Sequence, residues 1–324
     1  VTAQIKPILG LADTFGARAK ALRRLQTGLL ALYEQSGFDE VIPPLLERPQ
    51  TLEAGAGRYL TDEMLIFSDP ADAGQLALRP DMTPQVARIA ATRLQSEQVL
   101  KLCYSGPVLL ARPDSRTSSR EQWQTGVEYL GEAGVDADVE VIHLAAMSMH
   151  RAGFEKPLLQ IGHMGLITAL LEGSPTAMES WTRILARRAP DDMRAWLASE
   201  SLPEANGEAL IAMATGSADK AWLQGQLGRI SEAFDAAANE LLQRVDTVGE
   251  RLQGEVDICI DAAVMPRFLY HSGIVFTGYA AGATQALLHG GRYDAMMAAH
   301  GRDMPATGFS CDLWAWIDAG ATIA

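Results

Sequence analysis

The sequence predicts an α+β fold: an antiparallel sheet flanked by helices and interrupted by an all-helical insert. Three observations predict it. Helix and strand signals mix over the first half, give way to a helical block from about Met164 to Gln253, and return as strands before the end. Two pairs of strand runs face each other across short polar connections, as hairpins do. Neither a Rossmann G-x-G-x-x-G nor a phosphate-binding G-x-x-x-x-G-K-[ST] occurs, which argues against a parallel βαβ design.

The elements follow in order. Residues 18–36 place Leu22, Leu25, Leu29, Leu32 and Tyr33 on one helical face, and Gly37 ends the helix. The apolar run 41–46, closing on Glu47, contains Pro43 and Pro44 and is demoted to an edge strand. Residues 64–67 and 76–78 predict strands joined by an acidic hairpin. Residues 84–95 predict a helix with Pro84 in its first turn and Thr83 as its cap. A long hairpin follows over 99–110 and 122–131, with its polar tip at 113–121. Residues 137–152 read as a helix and 158–161 as a buried strand. In the helical block turns are expected at Pro175, Pro190 and Pro203. Strands are then expected at 256–260, 274–276 and 285–288, and a terminal helix at 309–317.

Composition narrows the function classes. With 48% hydrophobic residues the 324-residue chain can bury a sizeable core, and no apolar run is long enough for a transmembrane helix. The start VTAQIKPILG has none of the features of a secretory signal. Cys103, Cys259 and Cys311 are dispersed, which suits core thiols in a reducing cytoplasm and no structural metal. A net charge of −13 repels phosphate backbones, so no nucleic-acid partner is expected. The local basic cluster Arg183, Arg187, Arg188 reads as a solvated helix face.

Six blocks, in order, resemble the class II histidyl-tRNA synthetase core. They are Gly37 to Glu47, which looks like the dimerisation motif; Leu78-Arg79-Pro80-Asp81-Met82-Thr83; Gln124-Thr125-Gly126-Val127-Glu128; Tyr270 to Phe276; Gly290-Gly291-Arg292-Tyr293-Asp294; and Gly308-Phe309-Ser310. The departures are as informative. After Gly106-Pro107-Val108-Leu109 the family's phosphate-binding arginine is replaced by Leu110. In the last motif the Glu-Arg slots hold Trp314 and Ala315, and the family's Arg-Gly pair ahead of the Tyr-Tyr block stands here as Pro266-Arg267, its arginine displaced by one residue or absent. A guanidinium grips phosphate through paired, charge-assisted hydrogen bonds that leucine and alanine cannot make. Losing one such donor costs about 10²–10³ in rate, and an arginine finger about 10³–10⁵.

This pattern resembles the regulatory subunits of short-form ATP phosphoribosyltransferase, which keep the synthetase frame without its chemistry. The resemblance implies a single synthetase-type core over 1–324, with its insert at about 164–253 and no anticodon-binding domain. It implies no catalysis, no cofactor and a cytoplasmic location. The expected partners are the short catalytic subunit of the first step of histidine biosynthesis, a second copy of this chain in a homodimer core, and L-histidine as feedback effector. Active or truncated histidyl-tRNA synthetase, and a free-standing histidine-binding protein, are the alternatives.

The resemblance also nominates a histidine site. Asp81 suits an α-ammonium. Thr83 either contacts ligand or only caps a helix. Gln124 and Glu128 share one strand face, where burial demands polar partners: either ligand or a network with Arg79 or Arg292. Tyr270 and His271 are expected at a strand end beside an imidazole. Gly290 and Gly291 mark a close backbone approach, to ligand or to a packed neighbour. Arg292 reads as structural. His143, His150, His163 and His300 read as helix-face or surface residues.

Overall fold

In helix α1 (Gly16–Gln35), Leu22, Leu25, Leu29 and Tyr33 are all buried on one side, as their spacing requires. Gly37, at φ +85°, takes the left-handed position that stops the helix. These coordinates come from a computed structural model that describes residues 8–55, 58–96, 98–112, 119–185, 189–263 and 270–323. The hairpin-tip residues 113–118, Arg187, Arg188, Pro266 and Arg267 lie outside the described residues.

The chain continues through β1 (Asp39–Glu40), β2 (Leu46–Glu47), α2 (Pro49–Glu53), α3 (Arg58–Thr61), β3 (Leu65–Ser68), β4 (Gln75–Leu78) and α4 (Thr83–Thr92). The long hairpin is β5 (Leu100–Leu109) and β6 (Glu121–Leu130), followed by α5 (Val135–Arg151) and β7 (Leu158–His163). Six helices then run in succession: α6 (Met164–Leu170), α7 (Pro175–Leu185), α8 (Pro190–Ser199), α9 (Glu204–Ala214), α10 (Lys220–Gln226) and α11 (Glu232–Leu252). The prolines expected at turns start α7 and α8 and cap α9, where a missing N–H costs nothing. The last elements are β8 (Asp257–Ile260), β9 (Ile274–Tyr279), β10 (Leu288–Arg292), α12 (Asp294–Ala299), β11 (Ala306–Asp312) and α13 (Leu313–Asp318).

The large sheet has the order β1-β5-β6-β11-β10-β9-β7-β8, and β2-β4-β3 form a small second sheet. The pairings from β5 through β7 are antiparallel, as expected, but the two edge pairs, β1 with β5 and β7 with β8, are parallel. The sheet is therefore mixed. The β7–β8 pair explains the helical block: parallel neighbours need a long crossover, and α6–α11 supply it.

Three local expectations are corrected. Residues 309–312 belong to β11, and only α13 beyond Asp312 is helical. The third late strand is β10, shifted onto the glycine pair, where pairing with β9 and β11 outweighs glycine's low strand propensity. Of the run 41–46, only Leu46 enters a strand.

Apolar side chains cover both sheet faces. One layer packs α1, α5, α11 and α13 through residues such as Leu29, Ile142, Leu241 and Trp316, and the other packs α4 and α12 through Val86, Ala90, Met296 and Met297. Between α5, α11 and β10 lies a buried ion set. Asp138 on α5 is fully buried, with Arg244 Nε at 2.6 Å and Arg292 Nη2 at 2.9 Å. Arg292 is thus structural, as its sequence suggested. His163 is not a surface residue: it is buried at the N-cap of α6, accepting from Gly165 N at 3.0 Å.

Candidate functional site

The middle of the large sheet, where β6, β11 and β10 lie side by side, floors a cavity of about 400 Å³. Strand alternation sends Gln122, Gln124 and Glu128 of β6 into it, and the antiparallel register sets Gly308, Ser310 and Asp312 of β11 opposite or diagonal to them. Pro80 and Thr83 close one wall, and Tyr270, His271 and Tyr293 another.

Glu128 is the centre of the polar chemistry. Its Oε1 accepts from the hydroxyls of Thr83 and Tyr104 at 2.9 Å each, and Oε2 accepts from the Tyr293 hydroxyl. The side chain is 1% exposed. Burial pushes its carboxyl up to about 8; the three hydroxyl donors pull back, and the Asp81 charge adds to the rise. Burial likewise raises the phenols of Tyr104, Tyr270 and Tyr293, so all three are neutral donors. Gly308 leaves room for this carboxylate: a Cβ there would stand 1.9 Å from Glu128 Oε2.

Gln124 ties the walls together. Its Oε1 accepts from Met82 N at 2.8 Å, and its Nε2 donates to Asp81 Oδ1 at 2.8 Å and to Ser310 Oγ at 3.2 Å. Asp81 lies just behind the wall, 1% exposed, and also accepts from Thr83 N at 3.1 Å and the Tyr270 hydroxyl at 3.3 Å. Tyr270 stacks on His271 at 4.6 Å between centroids and meets Tyr293 edge-on at 5.9 Å.

Five nominated side chains, Thr83, Gln124, Glu128, Tyr270 and His271, therefore line one cavity, with Asp81 directly behind them. Three details differ from expectation. Thr83 does not cap α4. Met82 is the N-cap, without a side-chain bond, and the Thr83 hydroxyl is committed to Glu128 and to Tyr104, 3.2 Å away. Neither Arg79 nor Arg292 joins Glu128. Arg79 binds the carbonyls of Pro43 at 2.7 Å and Pro107 at 2.9 Å, and Arg292 binds Asp138. Tyr270 and His271 precede β9 rather than end a strand, and both face the cavity.

The glycine pair splits its work. Gly290 lines the cavity, and a Cβ on it would meet the Phe276 ring at 2.3 Å; on Gly291 it would meet the His271 ring at 2.6 Å. Of the two positions read as lost arginines, Ala315 lines the cavity. Leu110 is buried outside it, 1% exposed, its backbone bonded both ways to Arg120.

Tyr104, Tyr293, His289, Ser310 and Asp312 were not nominated. Tyr104 was legible in principle: it lies in β5 across from Gly126, midway along the hairpin segment that carries Gln124 and Glu128. Asp312 accepts from the backbone N–H of Trp123 and Trp314 at 2.9 and 3.1 Å, and burial raises its carboxyl. Its own carboxylate thus occupies the start of α13. Among the described residues, no lysine or arginine lines the cavity.

The model of the Histidyl-tRNA synthetase family matches residues 10–315. The chain is 35% identical over 308 residues to an ATP phosphoribosyltransferase regulatory subunit of Paraburkholderia phymatum, covering 94% of this chain and 79% of the relative. It is 36% identical over 308 residues to one from Ralstonia pickettii, at 94% and 78% coverage. The chain belongs to the ATP phosphoribosyltransferase regulatory subunit family, on the histidyl-tRNA synthetase frame.

Solved structures agree on that frame. An ATP phosphoribosyltransferase regulatory subunit/histidyl-tRNA synthetase from Bacillus halodurans superposes with TM-score 0.87 at 26% identity, covering 98% of this chain and 84% of that one. A chain of the ATP phosphoribosyl transferase (HisG:HisZ) complex from Thermotoga maritima shares the fold, with TM-score 0.68 at 17% identity over 93% of this chain and 98% of that one. The carboxyl groups, amides and hydroxyls that line the cavity can pair with an ammonium or an imidazole.

Proposed function

We propose that the chain is the non-catalytic regulatory partner of a short ATP phosphoribosyltransferase catalytic subunit. In this reading it raises that subunit's activity and carries L-histidine feedback through the Glu128 cavity. The observation that carries the proposal is the cavity's lining: the carboxyl groups of Glu128 and Asp312 line it, Asp81 stands behind, and no described lining residue is a lysine or arginine. An enzyme that activates a carboxylate with ATP must stabilise charge building on the α-phosphate, and fixed cations do that. A sensor needs only affinity. We assign the α-ammonium to Asp81, Thr83 and Gln124, and the imidazole to Glu128, Tyr270 and His271, against the backbone of Gly290 and Gly291.

A single synthetase-type core with its 164–253 insert is part of this proposal, as is a homodimer. Exposed Ile42 (84%), Leu45 (47%), Ile66 (41%) and Phe67 (41%) around the small sheet support a second copy there. Free thiols at Cys103, Cys259 and Cys311 suit the cytoplasm.

Two measurements test the site. Purified chain should give no histidine-dependent ATP–pyrophosphate exchange, and robust exchange would refute the loss of catalysis. Histidine should raise the melting temperature, since ligand at about 100 times its dissociation constant adds about 2.7 kcal/mol. Glu128→Ala should abolish that rise while still folding. A rise that survives in both Glu128→Ala and Asp81→Ala would move histidine to another site.

A further inference from the structure

The cavity is longer than one amino acid. Gln122, Gln124 and Glu128 all line it along β6, and the six-residue step from Gln122 to Glu128 spans about 20 Å of strand. A free amino acid spans well under half of that. A volume of about 400 Å³ also falls in the range of sites for ligands larger than an amino acid. Gln124 divides the space, since its amide bridges Asp81 on one wall and Ser310 on the other. On the Glu128 side lie the aromatic and hydroxyl groups already described. On the other side lie Gln122, Gln285, Asp312 and Ala315.

The outer compartment is chemically distinct. Asp312 and the side-chain amides of Gln122 and Gln285 supply acceptors, and Ser310 stands at its boundary. An incoming anion would face the Asp312 carboxyl group, with no lysine or arginine among the described lining residues to offset it. An N–H donor would find carboxylate and amide oxygens. Ala315 supplies a small wall that leaves the space open.

We propose that this outer compartment is a second subsite, taking a non-anionic, hydrogen-bond-donating extension attached to the carboxyl carbon of the bound amino acid. The ligand class is the amide or short peptide with N-terminal histidine, and phosphate-bearing extensions are rejected. The proposal rests on the reading that the inner compartment holds an amino acid.

Titration calorimetry of the purified full chain with L-histidine, histidyl-glycinamide and a phosphonate-extended histidine of similar length tests it. The dipeptide amide should bind within about tenfold of histidine and the phosphonate at least about tenfold more weakly, tenfold being 1.4 kcal/mol. Ala315→Phe and, independently, Gln122→Phe fill the outer compartment. Each should weaken the dipeptide amide by at least about tenfold and leave histidine within about threefold. The subsite is refuted if histidine binds and the dipeptide amide does not, if the phosphonate binds more tightly than the amide, or if both filled variants weaken the two ligands equally. A folded chain that binds none of the three overturns the amino-acid reading and the subsite with it.

Discussion

Glu128→Gln keeps the side chain's shape and removes its titration. In the folded chain the Glu128 carboxyl is held at about 8, mainly by burial, against an ordinary value of 4.5. Between those pH values the folded chain carries a proton that the unfolded chain has released. The stability contributed by this raised value is complete below pH ~4.5 and is lost as pH rises through about 8. One proton of difference is worth about 1.4 kcal/mol per pH unit. From about pH 5 to about pH 7 the natural chain should therefore lose on the order of 3 kcal/mol relative to Glu128→Gln. Urea unfolding of both proteins across that range, followed by tryptophan fluorescence and circular dichroism, measures the difference. A difference that stays flat with pH would refute the claim that Glu128 is buried and protonated. The same proton reports on ligand. An imidazole placed against Glu128 can take the proton that the carboxyl holds and form an ion pair, so histidine binding near neutral pH should leave the total of bound protons nearly unchanged. Calorimetry in two buffers of different ionisation heat reads that total, and release or uptake of a whole proton would contradict the pairing.

Three further outcomes are expected. Asp138→Asn leaves the buried Arg244 and Arg292 only their longer carboxylate contacts with Glu240 at 3.6 Å and Asp294 at 3.4 Å, and should cost up to about 3–5 kcal/mol in denaturant unfolding. Gly308→Ala forces a methyl against the Glu128 carboxylate and Val127 O; it should cost about 1–3 kcal/mol and weaken the histidine-induced melting shift. Leu110→Arg should not restore ATP–pyrophosphate exchange, because Leu110 is buried outside the cavity. It should instead destabilise the chain by several kcal/mol through an unpaired buried charge, visible as a lowered melting temperature.

Much of the frame was legible because its signals are local. The leucine spacing of α1, the two strands of the β5–β6 hairpin and the helical block all carry their periodicity in contiguous residues. The motif blocks likewise led to Thr83, Gln124, Glu128, Tyr270 and His271, which do converge. What was missed depends on pairing between distant segments. β11 reads as helix because Phe309 runs into the apolar turn of α13, and only its register with β6 and β10 makes it a strand. Tyr104 and Tyr293 look like ordinary core aromatics until β5, β6 and α12 bring both hydroxyls to one carboxylate. Thr83 reads either as a ligand contact or as a cap, because threonine before a helix usually is one. Here a buried acid 45 positions away competes for the hydroxyl and wins. The parallel edge pairs were equally hidden, since nothing in the two residues of β1 distinguishes a strand from a loop.

The central claim concerns coupling between this chain and a catalytic partner. A ligand shifts an equilibrium only by its differential affinity for two states, so histidine bound here reports only if docking links the cavity to the partner. The most direct measurement mixes purified chain with the short ATP phosphoribosyltransferase catalytic subunit of the same organism and follows the phosphoribosyl-transfer rate with and without L-histidine, checking co-elution by size exclusion. The two proteins should co-elute, the rate should rise on mixing, and histidine should suppress the complex more than the catalytic subunit alone, with the extra suppression lost in Glu128→Ala. Separate elution with an unchanged rate would contradict the regulatory role and favour a free-standing histidine-binding protein.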